Sequence, residues 1–376
     1  MARVLLLGSG KIGRMIAKFL TATGDYRLTV GDVERSSLER MQSKVPVDVR
    51  VVDAADGASL RSAMADHDLV ISALSYRFNP AVAQAAADCG LSYFDLTEDV
   101  ATTRAVRTIA EHARPGQIFM PQCGLAPGFI SIVAHHLAQS FDRVDRVHMR
   151  VGALPQFPTG QLKYNLTWST DGLINEYCNP CEAIQEGQRI EVLPLEGWEQ
   201  FSLDGVRYEA FNTSGGLGTL CETWDGHVRE LNYKTVRYQG HCELMQFLVN
   251  ELRLNQDRET LQHILERAVP VTFQDVVVTF CTAAGWRHGQ LVQISDARKV
   301  YARVIDDENW SAIQITTAAG ICTAIDLFTH GQIKQQGFVR QEEIDLETFL
   351  ANRFGQNYVT EVTTRFAQTT TATPAR

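Results

Sequence analysis

The feature that most constrains the fold is a glycine-rich turn, Gly8-Ser-Gly10-Lys-Ile-Gly13, near the start of the chain. The turn follows a continuous apolar run at residues 4–7, as a strand buried on both faces requires, and precedes apolar residues at helical spacing. In such a unit the three glycines permit the tight turn, the approach of a pyrophosphate, and the packing of helix on strand. The pattern predicts a Rossmann-type dinucleotide site.

An acidic residue, Asp32, follows the second predicted strand. A carboxylate there accepts hydrogen bonds from the adenosine ribose and repels a 2′-phosphate, so the sequence favours NAD. Arg35 and Ser36 soften this preference and keep NADP as the alternative. The residues predicted to line the cofactor site are Gly8, Ser9, Gly10, Lys11, Ile12, Gly13, Asp32, Asp53, Ala73, Leu74, Leu96 and Cys123.

Residues 1–124 alternate strand and helix patterns with short connections, which is typical of a parallel, doubly wound α/β sheet. Asn79 is predicted to cap the helix that stops at Gly90. The predicted strands are residues 4–7, 26–30, 47–52, 69–74, 91–96 and 118–120.

After Gly124 apolar and polar residues alternate, which indicates strands buried on one face in a mixed or antiparallel sheet. These strands are predicted at residues 147–151, 162–168, 189–192, 208–213, 231–238, 276–282 and 291–294. A helix over 310–332 is expected to begin the return to the first domain. The predicted domains are therefore 1–124 with about 310–366 for the dinucleotide, an inserted α/β domain at 125–310 for substrate binding, catalysis and oligomerisation, and a disordered polar tail at 367–376.

Composition narrows the classes of partner. The 376 residues carry a net charge of -9, without a basic run of the kind that nucleic acids or anionic membranes attract. A small-molecule partner and a cytoplasmic location are expected, since the first residues lack the pattern of a signal peptide. Eight cysteines are scattered, and the pair Cys178 and Cys181 is interpreted as a helix end, because zinc needs four converging ligands; we expect no metal.

Four segments further along, together with the glycine turn, resemble the saccharopine dehydrogenase-like superfamily, and most closely the lysine 6-dehydrogenases. They read CGLAPGF, LKYNLTWSTDGLINEY, FNTSGGLGTL and YKTVRYQGH. The resemblance runs from the first strand to about residue 340. It implies an NAD(P)-dependent oxidoreductase that oxidises a C–N bond, or reduces an imine, beside an amino-acid skeleton. It also implies a homodimer or homotetramer.

Such a reaction sets requirements for the site. Hydride leaves only from a carbon that bears a neutral amine, whereas a lysine ammonium has a pKa of ~10.4, so a base or an apolar pocket must remove the proton. The candidates for the base are His241, Asp95 and Glu98. A substrate carboxylate needs a cation, and Arg237 matches the arginine of the family's TxRYxG stretch. The remaining residues predicted to contact substrate are Tyr164, Trp168, Ser214 and His241.

The leading hypothesis is NAD-dependent oxidative deamination of L-lysine at its 6-amino group, or of a similar amino acid. One alternative is a saccharopine- or carboxynorspermidine-type NAD(P)H-dependent imine reductase. The other, from a different class, is a non-catalytic dinucleotide-binding sensor.

Overall fold

The computed structural model of the chain describes residues 1–359. Its N-terminal part alternates strands and helices as the sequence predicts. The elements are β1 (Ala2–Leu7), α1 (Lys11–Thr23), β2 (Tyr26–Asp32), α2 (Arg35–Gln42), β3 (Asp48–Val51), α3 (Gly57–Met64), β4 (Leu69–Ser72), α4 (Asn79–Cys89), β5 (Ser92–Asp95), α5 (Val100–Ala110) and β6 (Ile118–Met120).

These six strands form a parallel sheet in the order β6-β5-β4-β1-β2-β3. The strand order reverses between β1 and β4, since the chain builds outward first on one side of β1 and then on the other. In open α/β sheets, ligands bind at the carboxyl ends of the strands at such a reversal. The topology therefore predicts a ligand site at the loops after β1, β4, β5 and β6.

The second part of the chain forms a mixed sheet, as the alternation predicts. Its elements are α6 (Phe129–Ala138), β7 (Arg143–Pro155), α7 (Thr170–Cys178), β8 (Cys181–Gln185), β9 (Gln188–Val192), β10 (Glu199–Leu203), β11 (Val206–Asn212), α8 (Leu220–Thr223), β12 (Glu230–Tyr238), α9 (His241–Gln246), α10 (Arg258–Ala268), β13 (Asp275–Arg287) and β14 (Gln290–Tyr301). The order is β10-β11-β12-β7-β13-β14, with β8 and β9 attached beside β12. Only β7 and β12 run parallel among these pairs.

The predicted strand at residues 162–168 is wrong. This segment is irregular, with a left-handed φ of 48° at Lys163 and a single bridge between Leu166 and Val271. Tyr164 and Leu166 pack into a small core with α7 and α10 instead of a sheet. Alternation reports only that one side of an extended segment is buried, and here helices bury it.

The predicted cap of α4 is also wrong. Asn79 is the first helical residue and Phe78 takes the capping position, because a short 3₁₀ turn over Tyr76–Phe78 leads into the helix. The buried Asn79 amide instead accepts a hydrogen bond of 2.7 Å from Ser72 at the end of β4. Gly90 does end the helix, with a left-handed φ of 80°.

The last part of the described chain returns to the first sheet. It comprises β15 (Arg303–Ile305), β16 (Glu308–Trp310), α11 (Ala312–Thr329), β17 (Gly337–Phe338) and α12 (Leu346–Ala351). Strand β17 pairs in parallel with β6 and makes the first sheet seven-stranded. The predicted tail at 367–376, and the last residues of the predicted return, lie outside the described residues.

Helix α11 joins the two sheets. It packs against α1 and β5 on one side and against β13 and β14 on the other, and its residues belong to one core that runs through both parts. Among residues 1–359 it is the one helix long and apolar enough to cross a membrane, but 83% of that stretch is buried inside the protein. Its apolar character is therefore accounted for by core packing.

Candidate active site

A cavity of about 390 Å³ opens at the carboxyl edge of the first sheet, where the second sheet faces it. The loops after β4, β5 and β6 form one side of the cavity. Residues of β7, α7, β12 and α11 form the other side. The predicted site residues that line it are Ile12, Ala73, Leu74, Leu96, Glu98, Trp168 and Arg237.

The glycine turn has the geometry that a pyrophosphate site needs. A Cβ on Gly8 would lie 2.7 Å from the Ala73 carbonyl oxygen, and one on Gly13 would lie 2.0 Å from the Gly8 carbonyl oxygen. Close packing therefore requires both glycines. Around the Cβ position of Gly10 there is open space, and α1 begins at Lys11 without a side-chain cap in the described structure. Its first backbone N–H groups are thus available to an anion.

Asp32 is tied to this turn. Its Oδ2 accepts hydrogen bonds from the Ser9 N–H at 2.8 Å and the Ser9 hydroxyl at 2.6 Å, and its Oδ1 accepts one from the Glu34 N–H at 3.0 Å. Partial burial opposes ionisation, but these hydrogen bonds outweigh it and lower the pKa of Asp32. A fixed carboxylate therefore stands at the end of β2, where the predicted ribose partner belongs.

Asp53 and Cys123, both predicted for the cofactor, have structural partners of their own and do not line the cavity. Asp53 is exposed after β3, and its carboxylate accepts a hydrogen bond from the Ala55 N–H within the local turn. Cys123 is fully buried, and its Sγ lies 2.9 Å from the Gln341 amide nitrogen. Its neighbour Gly124 lines the cavity in its place.

Asp95, one of the three candidate bases, is structural. It is fully buried and accepts hydrogen bonds from the Tyr93 hydroxyl and from the Thr97 and Gln122 N–H groups. Burial raises the pKa of Asp95 to about 6 against the effect of these donors. The carboxyl ties the end of β5 to the loop after β6, and it is not part of the cavity wall.

His241, the second candidate, lies behind the cavity wall. Its Nε2 pairs with the Tyr177 hydroxyl at 3.0 Å and its Nδ1 with the Leu162 carbonyl at 2.9 Å. Burial, and then the nearby Arg237, lower the pKa of His241 to about 3. The ring is therefore neutral and enclosed, which removes it as a proton acceptor in contact with substrate.

Arg237 lies where the sequence suggests, with its guanidinium on the cavity. Its Nε donates to the Tyr177 hydroxyl at 2.9 Å, and its Nη1 donates to the Val236 carbonyl at 2.8 Å. Its guanidinium stacks over the Tyr164 ring, 4.9 Å from the centroid. Within residues 1–359 the Nη2 has no hydrogen-bond partner, so that edge is available to a ligand carboxylate.

Of the other predicted substrate residues, only Trp168 reaches the cavity. Tyr164 supports Arg237 from behind. Ser214 is buried and donates to the Asn175 carbonyl at 3.2 Å. Its loop still matters, because a Cβ on the next residue, Gly215, would lie 2.2 Å from the Glu98 carbonyl oxygen. The loop therefore packs directly on the backbone of Glu98.

Glu98, the third candidate base, lines the cavity, and so does Glu176, which the sequence analysis missed. Burial, followed by smaller effects that include Asp99, raises the pKa of Glu98 to about 7. Burial also raises the pKa of Glu176 to about 8, with Arg237 opposing and Glu98 adding to the shift. The only available signal for Glu176 was its place in the segment LKYNLTWSTDGLINEY.

Comparison with known proteins assigns the chain to a protein family. Residues 4–120 match the family model described as the saccharopine dehydrogenase NADP binding domain, and residues 124–356 match the saccharopine dehydrogenase C-terminal domain. The chain is a member of the saccharopine dehydrogenase family. Its family resemblance is confirmed, together with the predicted combination of a Rossmann sheet and a second, mixed sheet.

Relatives of this family member are similar at low identity. The "Saccharopine dehydrogenase [NADP(+), L-glutamate-forming]" of Schizosaccharomyces pombe is 25% identical over 72% of the chain and 61% of the relative. That of Saccharomyces cerevisiae is 23% identical over 81% and 69%. The rat mitochondrial alpha-aminoadipic semialdehyde synthase is 22% identical over 73% of the chain and 31% of its own length. The chain thus spans 61% of the length of the fission-yeast relative and 31% of the length of the rat relative.

The solved structure of apo saccharopine dehydrogenase (L-Glu forming) from Saccharomyces cerevisiae has the same fold. It superposes with a TM-score of 0.78 at 18% identity and covers 94% of this chain and 98% of that one. The matched nucleotide domain and the curated yeast relatives carry NADP in their names, so the comparisons do not support the NAD preference.

Proposed function

We propose that this family member oxidises a primary amine of a diamino acid, such as the 6-amino group of L-lysine, with a nicotinamide dinucleotide as hydride acceptor. The observation that supports it is a single cavity lined by a buried arginine, the buried Glu176 and the partly buried Glu98 beside the glycine turn. A guanidinium suits the α-carboxylate of an amino acid, and carboxyl groups suit an amine.

The residues present fit the cofactor. The turn over Gly8 to Gly13 would hold the pyrophosphate, and Asp32 would bind the ribose hydroxyls. When bound, the nicotinamide accepts a hydride from the substrate carbon. The chain's own part is to orient the amine, to take its proton and to keep the reacting carbon apart from solvent.

The charges of the cavity favour an amine-rich substrate. Its lining residues include two cationic side chains, Arg77 and Arg237, and three acidic ones, Glu98, Asp171 and Glu176. Saccharopine carries three carboxylates beside its two amines, and the cavity wall has only two cationic side chains to receive them. A diamino acid presents one carboxylate and two amines, which Arg237 and the acidic side chains can receive.

The second candidate is a saccharopine-type reductase, favoured by the names of the yeast relatives. The two candidate functions differ in the substrates that the protein would turn over. With oxidised NAD or NADP, we expect reduced dinucleotide to form from L-lysine or L-ornithine and not from L-saccharopine. The reverse pattern would assign the second candidate. Tight NADH binding without turnover of any of these compounds would favour the third alternative, a non-catalytic dinucleotide sensor. Assembly as a homodimer or homotetramer stays a prediction.

A further inference from the structure

Two acidic side chains, Glu98 and Glu176, meet in one part of the cavity. Oε1 of Glu98 lies 3.3 Å from the place that a Cβ on Gly172 would take, so it touches α7 at that residue. Gly172 and Glu176 are four residues apart on α7 and therefore share a helix face, one turn from each other. The loop after β5 and the helix α7 thus bring both glutamates to the same cavity wall, where Glu98 contributes to the raised pKa of Glu176.

These carboxyl groups are short of donors. Oε1 of Glu98 is buried and has no hydrogen-bond partner among the described residues. Over the same part of the chain, no side chain donates a hydrogen bond to Glu176. Buried polar groups in proteins nearly always have partners, and leaving one unpaired costs about 1–3 kcal/mol. Glu176 is buried and lines the cavity, so a ligand there that brings its own donors would satisfy its carboxyl group.

The nearby cation does not meet this need. Arg237 lies on the same cavity, but its Nε and Nη1 donate to Tyr177 and to the Val236 carbonyl. Because two neighbouring carboxylates repel each other in a dry site, at least one of the pair readily takes a proton near neutral pH. An ammonium group supplies both the donors and the proton.

We propose that Glu98 and Glu176 form one amine subsite, which binds the ammonium group of the substrate and accepts a proton from it. This inference rests on the proposed function. An N–H bond of the ammonium breaks, its electron pair stays on nitrogen, and the proton moves to a carboxylate oxygen of the pair. The nitrogen lone pair can then form the C=N bond while the neighbouring C–H pair leaves as hydride to the oxidised nicotinamide.

Three glutamine variants test the pair: Glu98→Gln, Glu176→Gln and the control Glu342→Gln. Glu342 is also a buried glutamate, but it accepts hydrogen bonds from Thr219 and Thr223 and is not among the residues that line the cavity. A carboxyl must be ionised to accept the proton, so kcat/KM for L-lysine should fall as the pH drops through about 7 to 8. We expect each variant of the pair to lower kcat/KM by about 100-fold.

The pH profile carries the specific signature of a pair. Removing Glu98 removes a like charge that raises the pKa of Glu176, so the acid limb should move to lower pH in the Glu98→Gln variant. The Glu342→Gln variant should keep the limb of the wild type. An acid limb that stays in place in the Glu98→Gln variant would overturn the pair.

Binding gives a readout that needs no turnover. With NADH present, L-lysine and L-norleucine differ only by the terminal amine, and calorimetry compares their Kd values. We expect the wild type and Glu342→Gln to prefer L-lysine by about 10-fold or more, and both cavity variants to lose that preference. Equal affinity of the wild type for both ligands would overturn the subsite. A lysine preference without any turnover would keep the subsite and remove the proposed function instead.

Discussion

At the scale of single residues, we propose that Asp32 sets the preference between the two dinucleotides. Its carboxylate is ionised, and hydrogen bonds from Ser9 and Glu34 fix its position. The carboxylate would therefore repel a 2′-phosphate. We therefore expect the wild type to use NAD better than NADP. The Asp32→Ser variant should lower kcat/KM for NAD about 10-fold, because charged hydrogen bonds to the ribose contribute about 1.5–3 kcal/mol.

The same variant should raise the NADP to NAD ratio of kcat/KM by about 100-fold. Asp48→Asn is the control, since Asp48 is an exposed acid at the start of β3, away from the carboxyl edge. Steady-state kinetics with both dinucleotides measures the ratio. A wild type that prefers NADP, with a ratio that Asp32→Ser leaves unchanged, would refute this role.

Arg237 is the residue that we expect to bind the substrate carboxylate. Arg237→Lys keeps the charge and loses the fork, so KM for the amino acid should rise about 30-fold, as the loss of about 2 kcal/mol implies. KM for NAD should stay within about twofold. Arg207→Ala, at an exposed position on the neighbouring β11, controls for the loss of an arginine. Equal increases in both KM values would exclude Arg237 from the substrate pocket.

The residue scale also shows what sequence patterns miss. Gly8, Gly13 and Asp32 were predictable, because a turn and its acid are local in the chain. His241 looked like a base, yet it is enclosed behind Tyr177. Glu176 was missed because the face that α7 presents to the cavity depends on how the helix packs in the fold. The local hydrophobic pattern of the sequence does not contain that information.

At the scale of elements, the loop between β11 and α8 positions Glu98. Gly215 has a left-handed φ of 84°, and a Cβ there would lie 2.2 Å from the Glu98 carbonyl oxygen. Gly187, in the turn between β8 and β9, has a similar φ of 78° with nothing within 4 Å. Substitution of either glycine would strain the backbone, but only a side chain at Gly215 would also contact Glu98.

We expect Gly187→Ala to lower the free energy of unfolding by about 1–2 kcal/mol, since left-handed backbone disfavours a Cβ, and Gly215→Ala to lower it further because its Cβ meets the Glu98 backbone. Only Gly215→Ala should also displace Glu98, with about a 10-fold or larger loss of kcat/KM. Chemical denaturation and steady-state kinetics measure the two effects. Equal kcat/KM in both variants would contradict the positioning role of the loop.

Elements were predicted unevenly for a physical reason. The parallel strands and the apolar helix at residues 312–329 follow from strong local periods. The segment at 162–168 has a strand-like alternation, but Tyr164 and Leu166 are buried by helices that lie far along the sequence. Which partner buries an extended segment is a tertiary property.

At the scale of the whole molecule, the cavity exists because two sheets share one core. Helix α11 packs on both, and it brings Ile313 and Thr317 to the cavity between them. The first sheet supplies the nucleotide turn and Glu98, and the second part supplies Arg237 and Glu176. The sequence indicated both parts, but the balance of charges between them appears only in the assembled fold.

We propose that hydride leaves the amine-bearing terminal carbon of a diamino acid. The most direct test is to incubate the protein with NAD and with L-lysine that is deuterated either at C6 or at C2. Mass spectrometry then measures the deuterium content of the NADH that forms. We expect one deuterium in NADH from the C6-labelled substrate and none from the C2-labelled one. Deuterium from C2 alone, or no NADH from L-lysine, would contradict it.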